Sequence, residues 1–527
     1  MKTILVVLCI LMQLPVLHAS ESSIPLPPIS LSRAKSHIEL LASDEMRGRN
    51  TPSPELEKAA AYIAGQFKDL GLQPINGSYF HTYVLERLHL DKPTTFMVKK
   101  GLAITEMALK DDFIPFEFSG STTVDYASLA FAGYGITAPE YKYDDYKDLD
   151  VKGKVVVILR GEPQMDNDSS VFEGKRFTKY SRMQSKIKTA VANGAVGVIV
   201  LSSPSNSMKI RPIGFPWPSL YPNIPADALP LSRRNADSPN IPVISAGERF
   251  VDIVFGAVDT LKAWQKNIDS LMITQSKVIP TIEILSLQTT LRSEKVEVKN
   301  VMGMIKGSEL PEEYVVIGAH YDHVGHSRPN DPAKDSIFNG ADDNASGTTG
   351  ILLSAEAIAN APSKPKRSIV FVGFSGEEKG LLGSKAFADN PPLPIKNCVA
   401  MLNMDMIGRS VNDTLYIGGN TRCKELADLN AEVNRTLFDS DAFNVSYTIE
   451  QYFFRSDQAS FAMKRIPVLF YYTGEHEDYH KVSDEISKLN MDNLVKIATL
   501  CSHTAWSVAD LPMRLPFTPL PGDDLSD

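Results

Sequence analysis

The sequence predicts an α/β protein built on a mostly parallel sheet, and two patterns carry that reading. Four short, continuously apolar segments, Tyr314 to Ala319, Ser368 to Phe374, Val399 to Met404 and Ile466 to Tyr472, have the composition of strands buried on both faces. Each runs into acids or histidines: His320 after the first, Glu377 and Glu378 after the second, Asp405 after the third, His476 and His480 after the fourth. Ligands of open α/β sheets bind outside the carboxyl ends of the strands, so four such endings point to one crevice.

The other elements follow in chain order. Met1 to Ala19 has one lysine, an apolar stretch and a small final residue, the pattern of a secretory signal peptide, so the mature chain is expected to be periplasmic or extracellular. No later apolar run is long enough for stable membrane insertion. Cys9 leaves with the signal, and Cys398, Cys423 and Cys501 are too few and scattered for a disulfide framework, so buried thiols are expected. The 527 residues suffice for more than one domain, 43% hydrophobic and 22% charged is ordinary globular composition, and the net charge of -9 argues against a nucleic-acid partner.

Ser20 to Ile29 reads as a loose leader, 33–42 as a helix, and Asp44 to Asn50 as a polar turn of structural role. Ser53 is a helix cap before Pro54, with Leu56, Ala60, Ile63, Phe67 and Leu70 on one face and Gly71 as the stop. From about Ser119 the pattern changes: a strand at 154–159, a helix at 179–192 closed by Asn193 and Gly194, and a strand at 196–201 make a βαβ unit. A Pro- and Ser-rich loop region, 202–242, follows, and this second domain, 119–285, has no cluster of metal-binding types. Lys299 to Ile305 reads as a hairpin partner of the Tyr314 strand. Asp342 and Asp343 precede a helix that starts near Ala345, where capping is the plain alternative to a metal role.

Five segments together resemble the motifs of the two-zinc aminopeptidase family: GAHYDHVG (318–325), NGADDNASG (339–347), FSGEEKGLLGS (374–384), NMDMIGR (403–409) and EDYHKVSDE (477–485). That family includes glutamate carboxypeptidases, glutaminyl cyclases and the transferrin receptor. FAGYGITAPEYKYDDYKDLDVKGKVVVILRG (131–161) and TAVANGAVGVIVL (189–201) are similar to the protease-associated (PA) domain often inserted there. The resemblance implies a three-layer α/β sandwich with a mostly parallel mixed sheet. It spans an N-terminal part, 20–118, and a catalytic part, 286–512, split by the PA insertion and followed by a tail, 513–527. It further implies two zinc ions: His320 and Asp405 on one, Glu378 and His480 on the other, Asp343 bridging over a cis Asp343–Asn344 peptide, and Asp322 orienting His320. His323 and His326 read as spectators, since five ligands already complete the set.

Adjacent glutamates do not usually point the same way, so Glu378 can bind metal while Glu377 serves as general base. Tyr479 is a candidate donor to the developing oxyanion, and it could equally only pack under its loop. His476 and Asp484 are expected to shape the loop of His480. The implied activity is an exopeptidase acting on peptides, foremost an aminopeptidase; Arg455 keeps a carboxypeptidase or dipeptidase open. A glutaminyl cyclase and a non-catalytic receptor share the fold. A serine hydrolase would use Ser375 with a downstream Asp and His480, but Glu377 stands where the nucleophile elbow needs glycine.

Overall fold

The computed structural model describes residues 26–520 except 168, 173, 175, 176, 207, 208, 222, 223, 225–228, 233–239 and 328–333. The expected signal peptide and the end of the tail lie outside these residues. The four apolar segments are neighbours in one nine-stranded mixed sheet. Leu310–His320 pairs in parallel with both Arg367–Phe374 and Cys398–Met404, and the latter pairs in parallel with Val468–Tyr472. Antiparallel strands flank this centre: Leu291–Ile305 and Phe80–Leu90 on one side, Thr414–Gly418 on the other.

Alternation along Leu310–His320 creates the layers, because successive side chains leave a strand on opposite faces. Val315, Ile317 and Ala319 join a core with residues of the helices Leu31–Leu41, Pro54–Asp69, Gly347–Ala359 and Met491–Asp510. Tyr314 and Val316 join a second core with Phe387 and Phe461 on the short helices Leu382–Asp389 and Gln458–Ala462. Gly347–Ala359 is buried nearly all round, as a helix covered by sheet and helices must be. Ser53 Oγ accepts the Leu56 N–H at 3.0 Å and Pro54 takes the first helical position, so that helix starts where its cap predicts.

Lys299 to Ile305 lies in this sheet but not beside the Tyr314 strand. Arg367–Phe374 stands between them, because the chain returns from the Gly347–Ala359 helix into that place and takes the antiparallel pairing with Leu291–Ile305.

A second, eight-stranded sheet is built from strands between Thr95 and Thr289. The expected boundary at 119 is therefore too late: Thr95–Lys100 pairs with the long Lys277–Thr289 strand, which ties it to the inserted unit. The βαβ element is present, with Val155–Leu159 and Gly197–Leu201 parallel. Its helix starts at Met183, since Arg182 is extended (φ -67°, ψ 130°). The chain enters and leaves this unit along a ribbon in which Leu90 and Leu291 are register partners, and Leu231–Ser232 returns to pair with that ribbon. Cys398, Cys423 and Cys501 are free and buried. No helix among the described residues is long and apolar enough to cross a membrane.

Candidate metal centre

Two groups of side chains meet at the carboxyl ends of the central strands: His320, Glu377 and Asp405, and His323, Asp343, Glu378 and His480. His320 is the last residue of its strand and Asp405 directly follows Met404, so the strand ends themselves place them. Asp343 faces both groups, Oδ1 3.4 Å from His320 Nε2 and Oδ2 3.1 Å from His480 Nε2. Asp405 Oδ1 is 3.3 Å from His320 Nε2, and Glu378 Oε2 is 3.0 Å from His480 Nε2. Tetrahedral zinc with bonds of about 2.0–2.2 Å needs donors about 3.3–3.6 Å apart, close to this spacing.

The loop carrying Asp343 is held from several sides. The Asp343–Asn344 peptide is cis, as the resemblance implied. The Asp484 carboxylate accepts the backbone N–H of Asp342 and of Asp343, each at 3.0 Å. Asp342 turns away from the cluster: Gly408 N–H donates to its Oδ1 at 2.6 Å, and His476 Nε2 is 3.2 Å from its Oδ2. His476 and Asp484 thus shape the loops around the cluster.

Burial opposes charge on His320, but the Asp405 and Glu377 carboxylates outweigh it and hold its pKa well above the usual value. Burial likewise opposes charge on His480, yet Asp343 and Glu378 raise its pKa to about 10. Burial alone would raise Asp343; its contacts with His320 and His480 instead hold it well below the usual carboxylate range. Burial pushes the Glu377 carboxyl well up, and Glu378, Asp405 and Asp457 add to this against the pull of His320. The carboxylates draw positive charge to this spot, and a mixed imidazole and carboxylate donor set suits zinc. The residues fit the metal the resemblance implied.

Three supporting groups were not legible in the sequence. Ser456 O–H donates to Asp405 Oδ2 at 2.6 Å, which leaves Oδ1 toward His320. The buried Arg49 guanidinium donates to the carbonyls of Leu41, Tyr321, Asn339 and Gly340, so the turn at 44–50 clamps two loops of the centre. His320 Nδ1 faces the Asp322 backbone carbonyl at 3.1 Å, which frees Nε2 for the cluster. The Asp322 carboxylate, expected to do this, is 3.8 Å away because the turn brings main chain against the ring. It accepts from Thr51 Oγ at 2.9 Å and Glu377 N–H at 3.2 Å instead.

His323 is not outside the cluster as expected: Nδ1 is 2.8 Å from Glu378 Oε1 and 3.7 Å from Asp343 Oδ2. His326 does stand apart, against Arg47. The Tyr479 ring stacks on His480 with centroids 4.0 Å apart, and burial, with the acids nearby, keeps its phenol protonated far above neutral pH. Ser375 is buried with its hydroxyl against Tyr83 and Asn300, which removes it as a nucleophile. A cavity beside the cluster is lined by Met406, Tyr452, Phe470, Tyr472 and Tyr479, with Arg455 and Glu475 4.0 Å apart at its half-exposed rim. All its described lining residues fall between 343 and 479, so the described residues of the inserted unit, expected to supply a wall or rim, give this cavity none. The unit attaches through the ribbon, which runs from the level of Gly373 past Phe374 and so leaves the sheet at the carboxyl end of the central strands.

Residues 300–505 match the family model of peptidase family M28, and 122–252 match the PA domain. The chain thus carries a peptidase family M28 segment and a PA segment. It is 27% identical over 257 residues to a probable zinc metalloprotease of Pyrenophora tritici-repentis, a match covering 41% of this chain and 58% of that one. It is 42% identical over 115 residues to one of Pyrenophora teres f. teres, covering 22% and 24%. These matches thus span well under two thirds of both relatives. The fold is similar to that of an aminopeptidase from Aneurinibacillus sp. strain AM-1, with TM-score 0.54 and 20% identity over 93% of this chain and 97% of that one. The M28 segment begins inside Leu291–Ile305 and includes every residue of both metal-type groups.

Proposed function

We propose that this protein is an exported zinc-dependent exopeptidase, an aminopeptidase, that holds two zinc ions. The observation that carries the reading is Asp343, with one carboxylate oxygen toward His320 and the other toward His480. His320 and Asp405 would hold one ion, Glu378 and His480 the other, and Asp343 both. When bound, the pair supplies Lewis acidity, polarising the scissile carbonyl and making water a nucleophile near neutral pH.

The protein's own groups do the rest. Glu377 takes the proton from the attacking water on a carboxylate oxygen and passes it to the leaving amine; its raised pKa suits a group that must both accept and return a proton. Tyr479, neutral at working pH, donates its phenolic hydrogen to the oxygen that gains charge. The aromatic cavity suits an apolar terminal side chain. Arg455 and Glu475 at its rim lie 4.0 Å apart and offset each other's charge.

The test is metal analysis of the purified protein together with turnover of aminoacyl and acyl-glutamate substrates before and after chelation. Two zinc ions per chain and chelator-sensitive release of amino-terminal residues are expected. Cleavage of only the acyl-glutamate substrates would replace aminopeptidase by carboxypeptidase, and full activity without metal would end the reading.

A further inference from the structure

Resting on the two-zinc reading, we propose that His323 is a positioning residue for Glu378: its Nδ1–H is donated to Glu378 Oε1 and turns that carboxylate so that Oε2 faces His480 and the second cation. The two oxygens are divided in this way in the structure, Oε1 at 2.8 Å from His323 Nδ1 and Oε2 at 3.0 Å from His480 Nε2. The His323 side chain is fully buried and held from three sides. Its backbone N–H donates to the Arg49 carbonyl at 3.3 Å. Its ring meets His480 edge-on, centroids 5.5 Å apart. Gly340, at φ +57°, lies flat against it, where an added Cβ would come within 2.5 Å of His323 Cδ2.

The same position could have made His323 a sixth ligand, and the far ring nitrogen decides against it. An imidazole that binds metal almost always gives its other N–H to an acceptor. His320 meets that rule through the Asp322 carbonyl. Among the described residues His323 Nε2 is buried with no hydrogen-bond partner, so ligation through Nδ1 would strand a buried N–H there. Donation from Nδ1–H leaves only a lone pair unmatched, and buried orphan acceptors are tolerated more often than orphan donors.

His323→Asn and His323→Leu separate the outcomes, because an amide nitrogen can stand where Nδ1 does and donate but is a poor zinc ligand, whereas leucine does neither. Zinc affinity of the purified variants is read by competition with a chromophoric chelator, and the absorption spectrum is recorded after cobalt(II) substitution. His323→Leu is expected to weaken one of the two ions ten- to a hundredfold and leave the other unchanged. His323→Asn is expected to recover most of that loss and keep the wild-type cobalt spectrum. An Asn variant as weak as the Leu variant, with an altered spectrum, would mean direct ligation and overturn the proposal. Wild-type affinity in the Leu variant would overturn it as well. If the Leu variant does not fold, His323→Ala gives the same comparison. A wild-type protein without two zinc ions would instead refute the proposed function, a result distinct from either.

Discussion

Glu377→Gln keeps the size and one acceptor oxygen of the side chain but removes its capacity to take a proton near neutral pH. Turnover is expected to fall by about 10²–10⁴-fold, with two zinc ions still bound. Glu378→Gln is expected to lose one ion first and to recover activity partly in excess zinc. Metal content measured beside turnover checks both, and a Glu377→Gln variant that loses metal while Glu378→Gln does not would exchange the two roles. Ser456 acts at the same scale, since its hydroxyl occupies one oxygen of Asp405. Ser456→Ala is expected to weaken the ion shared by His320 and Asp405 by about ten- to a hundredfold; unchanged zinc affinity would leave Ser456 a packing residue.

At the level of elements, the turn at 44–50 does more than connect two helices. Arg49 is fully buried, and burial lowers its pKa to about 10, with nearby acids working the other way, so it stays charged at neutral pH. Arg49→Met would strand four carbonyls and is expected to cost about 3 kcal/mol or more, visible as a lowered Tm together with weaker zinc binding.

Two helices also carry buried neutral histidines, His37 on Leu31–Leu41 and His503 on Met491–Asp510. Burial lowers each to about 4, with Arg33 adding to this at His37. A folded pKa below the unfolded 6.5 means their contribution to stability is present above pH 6.5 and is lost as pH falls from 6.5 through 4. The loss is at most about 3 kcal/mol for each. Thermal melts from pH 7 to pH 4 should show a steeper fall in Tm for the wild type than for a His37→Gln, His503→Gln double variant. Equal slopes would mean that other groups dominate acid unfolding.

On the scale of the whole molecule, the inserted unit hangs from a two-stranded ribbon, and its described residues supply neither a metal-type group nor a wall of the cavity. Leu85 and Val296 are register partners on that ribbon, below the point where Leu88, Leu90 and Leu291 pack on Trp217 of the insertion. Replacing 86–295 by Asn-Gly should therefore close a two-residue hairpin without exposing that apolar patch. The shortened protein is expected to fold and hold two zinc ions, with altered activity on longer peptides. Loss of zinc from a folded shortened protein would show that the insertion supports the centre after all.

The sequence by itself determined the parallel centre of the sheet and which residues end its strands. A strand buried on both faces must be apolar throughout, so the first His, Glu or Asp after it marks the carboxyl end of the sheet. It also separated an inserted unit, though it placed that unit's start too late. What only the tertiary structure decided depends on contacts between distant residues. Arg367–Phe374 displaces the expected hairpin because a crossover helix returns the chain beside Leu310–His320. Arg49 reaches Tyr321 across 272 residues, and Thr95–Lys100 finds Lys277–Thr289 across the whole insertion. His323 lies in a loop whose path is set by Gly340 and Arg49, not by any local period. Periodicity reports which face of an element is buried, whereas the partner that buries it, and the nitrogen or oxygen it presents there, is settled only when the chain closes.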